Sequence, residues 1–117
     1  MMNSRSQTWL TDIVVYGERT LQKTTGLTSD DYVANLDLRD IVERNLLKIG
    51  ELVVRLRDHD EETVSRLAGF RGLIGLRNIL SHDYESLSDE EVFELIQRAL
   101  PVLIADAREV LDGPSPT

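Results

Sequence analysis

An all-α fold, an antiparallel four- to five-helix bundle, is what this sequence predicts, and three observations carry the prediction. Apolar residues recur at i, i+3 and i+4 over long stretches, the period of a helix with one buried face. Ser88 and Glu91 make a Ser-x-x-Glu capping box directly ahead of one such stretch. No segment sustains the two-residue alternation of a half-buried strand, no Asn-Gly hairpin dipeptide appears, and no internal repeat is present.

The elements follow in order. Leu10, Ile13, Val14, Gly17 and Leu21 predict a first helix over roughly 5–24, with Gly26 as a stop that tolerates left-handed geometry. Ser29 and Asp30 read as the cap of a short turn carrying Tyr32 and Val33. Leu38, Ile41, Val42, Leu46, Ile49, Val53 and Leu56 form the clearest stripe, with Asn45 inside it, Asp37 as its cap and Asp58, His59 and Asp60 closing it. A buried Asn in such a stripe fixes register between helices; Asn45 and Glu51 have, as an alternative, a role behind a functional loop.

Glu61 to Ala68 predicts a short helix with Val64 and Leu67 inward, broken by Gly69. A further helix is expected from about Phe70 to Ser81, with Leu73, Ile74, Ile79 and Leu80 apolar. Gly72 and Gly75 interrupt it, either because another backbone approaches or because the helix start is loosely wound. Val92 through Leu111 make a wide stripe in which Pro101 should kink or split the helix. The domain is expected to occupy residues 1–112, and 113–117 to form a disordered tail.

Composition narrows the function. At 117 residues the chain is one domain, and its formal charge of -8 speaks against broad coating of a nucleic acid, though not against a local basic site. With no cysteine, disulfides, zinc-thiolate sites and thiol catalysis are excluded. No apolar run approaches the ~20 residues of a membrane span, and Met1 to Trp9 carries no signal-peptide core. A cytoplasmic protein with no membrane partner is the expectation.

The chemistry-bearing residues concentrate in Arg77-Asn78-Ile79-Leu80-Ser81-His82-Asp83-Tyr84, with Arg71 just ahead. An arginine clamps a phosphate bidentately and a histidine transfers protons near neutral pH, so this set is sufficient for metal-free phosphodiester chemistry. Its plain alternative is a surface turn with a solvated arginine. Five residues of a regular helix turn Arg77 and His82 well away from each other. Either His82 lies at a frayed helix end, or the two groups meet across a second subunit. His59, among Asp58, Asp60, Glu61 and Glu62, reads as solvated acidic surface rather than a metal site. Trp9 and Tyr16 are expected to pack in the core or at a dimer seam.

The Arg-x4-His-x-Tyr string resembles the signature of the HEPN superfamily, and of the HepT-like toxins in particular. Gly26-Leu27-Thr28, the Arg44-Asn45-Leu46-Leu47-Lys48-Ile49-Gly50-Glu51 stretch and Ala99-Leu100-Pro101-Val102-Leu103 are similar to that family's layout, so the resemblance covers roughly residues 8–112. Gly72 and the Phe70-Arg71 start depart from the Pro-Trp-like opening more often seen there.

The resemblance implies a helical homodimer that is the ribonuclease toxin of a toxin–antitoxin pair, with no cofactor and no metal. Two copies of the motif would then line a cleft at the two-fold axis. Arg77 would bind the scissile phosphate and stabilise its transition state, His82 would act as general acid or base, and Asn78 would orient the phosphate or the histidine. Arg71 is a candidate to join the basic cleft, with a solvated role as its alternative. The reaction implied uses the 2′-hydroxyl that RNA alone offers. The implied partner is a minimal nucleotidyltransferase antitoxin that transfers AMP to Tyr84, placing negative charge and bulk beside the phosphate site; a packed aromatic is the alternative for Tyr84. The competing function is a non-catalytic HEPN partner that binds nucleotide or forms a complex with a nucleotidyltransferase.

Overall fold

The computed structural model describes residues 3–67 and 88–113. Within them lie five helices: α1 (Ser4–Thr24), α2 (Ser29–Ala34), α3 (Leu36–His59), α4 (Glu61–Val64) and α5 (Asp89–Leu111). No strand occurs among the described residues, so the all-α expectation holds. The helix expected over 70–81, with Gly72 and Gly75, and the last four residues of the expected tail lie outside the described residues.

Side-chain contacts between helix ends fix their directions. Ser6, at the start of α1, donates to Asp60, which closes α3, at 2.6 Å. Arg39, near the start of α3, donates to Asp89, the first residue of α5, at 2.9 Å. Asn3 and Gln7, at the start of α1, line one cavity with Val110 and Leu111 at the end of α5, and Arg108 reaches from there to Glu18 further along α1. Thus α1 runs antiparallel to both α3 and α5, and those two run parallel to each other. One end of the bundle holds α4 and the last turns of α3 and α5. The other holds α2 and their first turns. Leu67 and Ser88, where the described chain stops and resumes, belong to opposite ends.

The apolar stripes meet as their spacing predicts. Leu10 and Ile13 of α1, Val42, Leu46, Ile49 and Val53 of α3, and Ile96, Leu100 and Leu103 of α5 are all essentially inaccessible. Burying each such side chain is worth about 1.5–3 kcal/mol. Asn45 is buried in its stripe, as its position predicts, and Val64 and Leu67 point inward. Tyr32 of α2 is fully buried and sets its ring 5.5 Å from Phe93 of α5. Where α1 crosses α5, Gly17 lies against Ile104; a Cβ there would come within 2.8 Å of that side chain.

Several local expectations are corrected. The cap of α2 is Thr28, not Ser29 or Asp30: its hydroxyl accepts from the Asp31 amide while the Asp31 carboxylate accepts from the Thr28 amide. The cap of α3 is Asn35 rather than Asp37, its Oδ1 accepting from Leu38 N, so Asp37 falls in the first turn and favours the helix dipole instead. α4 is a single turn and stops at Val64, short of the expected Ala68. α5 is not split at Pro101. Pro101 and Gln97 are both exposed, so the carbonyl deprived of its helical donor faces water. Gly26 does adopt φ 79°, the left-handed stop its position predicts.

Candidate functional site

Arg71, Arg77, Asn78, His82 and Tyr84 all lie in 68–87, outside the described residues. What the structure gives is the frame on either side of them, and that frame has polar features at both ends of the bundle and along α3.

At the α4 end, Asp60 is the organising group. It closes α3 and caps α4, accepting from the Thr63 amide at 3.2 Å, the Thr63 hydroxyl at 2.7 Å and the Ser6 hydroxyl. The Ser6 bond, with those from Thr63, holds the Asp60 carboxyl below its ordinary value against an opposing effect of burial. A cavity of about 550 Å³ opens beside it, lined by Asn3, Gln7, His59, Asp60, Arg66 and Leu111 among others. His59 is exposed, as expected, but stands 5.7 Å from the Trp9 ring. Trp9 and Tyr16 are partly buried against the core. Arg5 sits over Trp9 and Arg19 over Tyr16, each at the outer range of a cation–π contact. Among the described residues no group of three or more His, Asp or Glu is arranged to hold a metal ion.

Along α3, a groove of about 530 Å³ is lined by Asp40, Glu43, Arg44, Leu47, Lys48 and Glu51. Arg44, Lys48 and Glu51 succeed one another at i, i+4 and i+7, which puts them on one face of the helix. Two cations against three carboxylates do not make a phosphate cradle by themselves. Glu51 is half-buried on this groove, while Asn45, which shares its sequence stretch, is turned into the core.

At the α2 end, the polar groups come from three helices. Arg39 Nη1 holds Asp89 Oδ2 at 2.9 Å with both side chains partly buried. Glu43 adjoins them; burial, then the charges of Asp89 and Asp40, raise its carboxyl above the ordinary value, with Arg39 opposing. Burial, then Glu43 and Asp89, push the Tyr32 hydroxyl far upward as well, so it stays a neutral phenol. Tyr32 Oη and Arg39 Nε are both buried with no hydrogen-bond partner. Sequence reading missed this cluster. It treated Tyr32 as a turn residue, and nothing in the local pattern links Arg39 to a residue 50 positions away.

With the three-helix frame in place, comparison with known proteins identifies it. The HepT-like family model, described as "Ribonuclease HepT-like", matches residues 16–110. That is most of the chain, which belongs to the HepT-like ribonuclease family. The fold is accordingly an all-α, HEPN-like bundle, and RNA is the substrate class such a family implies. No curated protein and no solved structure matches the chain. No helix among the described residues is long and apolar enough to cross a membrane.

Proposed function

We propose that this protein is the toxin of a toxin–antitoxin pair, a cytoplasmic ribonuclease that cleaves RNA internally and without a metal, at a cleft formed by two copies of the chain. The observation that carries the reading is that Arg77, Asn78, His82 and Tyr84 stand, complete, inside the stretch matched by a ribonuclease family.

The chemistry follows from the residue types. The 2′-oxygen of the substrate loses its proton to a base, bonds to the adjacent phosphorus, and the 5′-oxygen departs and takes up a proton. His82 serves as one of the proton-transfer groups, since an imidazole titrates near neutral pH. Arg77 holds the non-bridging oxygens by two parallel N–H bonds and stabilises the charge that builds on them. Asn78 orients the phosphate or the imidazole, and Arg71 adds positive charge nearby. A partner nucleotidyltransferase silences the enzyme by transferring AMP from ATP to the Tyr84 oxygen, which gives up its proton as pyrophosphate leaves, and this sets a phosphate against the arginine that would bind RNA.

The test is purified protein with single-stranded RNA in the presence of a chelator. Cleavage by the wild type, with His82→Ala and Arg77→Ala each slower by about a hundredfold or more, is the expected result. Equal cleavage by His82→Ala sinks the catalytic assignment. Intact mass after co-expression with the partner should rise in multiples of AMP and fail to rise for Tyr84→Phe. A wild type that binds nucleotide or partner yet leaves RNA intact would favour the non-catalytic reading instead.

A further inference from the structure

The cations of this acidic chain are not spread evenly over its surface. Along α1, Arg5, Trp9, Tyr16, Arg19 and Lys23 follow one another at i, i+4, i+11, i+14 and i+18, so they share one face of that helix. Along α3, Lys48, Arg55 and His59 do the same at i, i+7 and i+11. The two helices run antiparallel, and the Trp9 ring lies 5.7 Å from the His59 ring, so the two faces adjoin. Together they make one surface about 27 Å long from Arg5 to Lys23. Its Lys and Arg side chains are exposed except Lys48, which is half-buried. The carboxylates that share it are Asp12, midway along α1, and Asp37, in the first turn of α3. Arg44 and Glu51 flank it on the groove side, one charge of each sign.

Arg39, Arg57, Arg98 and Arg108 hold carboxylates, and each of those pairs lies off this face. Among the described residues, Arg5, Arg19, Lys23, Lys48 and Arg55 make no ion pair. In a chain of net charge -8, unpaired cations gathered on one face add mutual repulsion and no compensating bond. Stability does not call for them; a polyanion does. Two of the arginines are also held ready, Arg5 over Trp9 at 6.0 Å and Arg19 over Tyr16 at 5.7 Å. A guanidinium against a ring face keeps its N–H donors for a phosphate.

We propose that the face shared by α1 and α3 docks single-stranded RNA, with Arg5, Arg19, Lys23, Lys48 and Arg55 neutralising its backbone phosphates. The choice of ligand rests on the ribonuclease reading above; the surface itself is independent of where the Arg77–His82 motif lies. Cations alternating with aromatic rings are the arrangement that tracks a nucleic-acid strand. A second copy of this chain fits worse, since a two-fold contact through this face would set these cations against their own counterparts.

The probe is a labelled 2′-O-methyl RNA, which lacks the free 2′-hydroxyl and so binds without being cut. Its affinity is measured for the full chain, for the triple variant Arg19→Gln, Lys23→Gln, Arg55→Gln, and for the triple variant Arg57→Gln, Arg98→Gln, Arg108→Gln, which removes the same charge from other faces. All six side chains are exposed, and circular dichroism checks that each chain is folded. The expected result at low salt is binding about tenfold or more weaker for the first variant and within about threefold for the second. The salt slope of the first should also be shallower by about 2, at about 0.7 for each of three lost phosphate contacts. Equal losses in the two variants overturn the proposal, since they would report net charge alone. So does undiminished binding by the first variant, a loss with no change of slope, or a wild type that does not bind the probe. Displacement of the probe by polyglutamate as readily as by unlabelled RNA of equal charge would mark an acidic protein as the occupant and overturn the RNA assignment. The ribonuclease reading fails separately: a wild type that binds the probe through this face yet leaves ordinary RNA intact overturns that reading and supports this one.

Discussion

Two carboxylates in this bundle titrate in opposite senses, and each gives a stability prediction of its own. Asp60 gains the Ser6 and Thr63 hydrogen bonds only in the folded state, so its folded pKa lies below its ordinary 3.8. Its contribution is present above that ordinary value and is lost as pH falls through the lower, folded one. Ser6→Ala should therefore cost about 1 kcal/mol at neutral pH, and the difference from wild type should shrink in strong acid. Urea unfolding across pH measures it; a penalty that does not change with pH would show that Ser6 acts through packing alone. Glu43 behaves the other way. Its folded pKa lies above the ordinary 4.5, because it is half-buried on α3 facing Asp89 of α5, with Asp40 and Arg39 beside it and the Tyr32 phenol of α2 close by. Arg44 and Lys48, further along the same groove, complete the charged surroundings. Stability from the protonated form is present below 4.5 and lost as pH rises through the folded pKa. Glu43→Gln should then be more stable than wild type at neutral pH. The gain should vanish on acidification. A variant equal to wild type at every pH would mean that Asp89 and Asp40 do not press on Glu43.

At the scale of elements, the crossing of α1 and α5 is set by a missing side chain. Gly17 costs its helix up to about 1 kcal/mol relative to alanine, yet a Cβ would meet Ile104 Cγ1 and Cδ1 at 2.8 Å. Overpacking a tight contact costs about 1–3 kcal/mol, which outweighs the propensity gain. Gly17→Ala is thus expected to destabilise by about 1 kcal/mol net, and truncating Ile104 to Val in that background should return part of it; thermal unfolding of the three chains decides. Gly17 also shows what the sequence made legible. Its place in the apolar stripe predicted that it would be buried, but nothing in the sequence named Ile104 as the facing atom. The long helices were legible because their stripes are sustained over many turns. The caps were not, because Thr28, Ser29, Asp30, Asn35 and Asp37 crowd two short junctions where several residues can satisfy the same free amides. The choice fell to geometry: Thr28 takes its cap because it closes a capping box with Asp31, and Asn35 because its Oδ1 accepts from the Leu38 amide. Of the two outcomes expected at Pro101, the split does not occur, since Pro101 and Gln97 lie on the solvent face where the freed carbonyl meets water. For the candidate site, residue types and spacing single out the motif string as a candidate that lies outside the described residues, while the Arg39–Asp89 tie was not legible, since it joins helices far apart in sequence.

At the scale of the whole molecule, charge and substrate pull against each other. A chain of net charge -8 repels a polyanion at long range, and a dimer repels it more. Salt screens that repulsion beyond a Debye length of about 8 Å at physiological ionic strength. In the proposed two-chain cleft the local attraction would come from few cations: Arg77, with Arg71 as a further candidate, from each chain. For single-stranded nucleic acid the salt slope is about -0.7 per phosphate neutralised, so two to four contacts reduce affinity by about seven- to fiftyfold between 50 and 200 mM salt, against 10³–10⁵ for a protein with six to ten phosphate contacts on duplex DNA. The relief of long-range repulsion offsets part of even that. With the α1–α3 cations removed, the cleft alone should therefore give a KM for RNA that rises less than about tenfold over this range, unlike a basic nuclease. Arg71→Ala should flatten the dependence further if that side chain touches phosphate, and leave the slope unchanged if it is merely solvated. Steady-state cleavage at graded salt reads both. A KM climbing a thousandfold in that chain would mean that a further basic surface operates despite the acidic composition, and the picture of positive charge concentrated in a two-fold cleft would have to be given up.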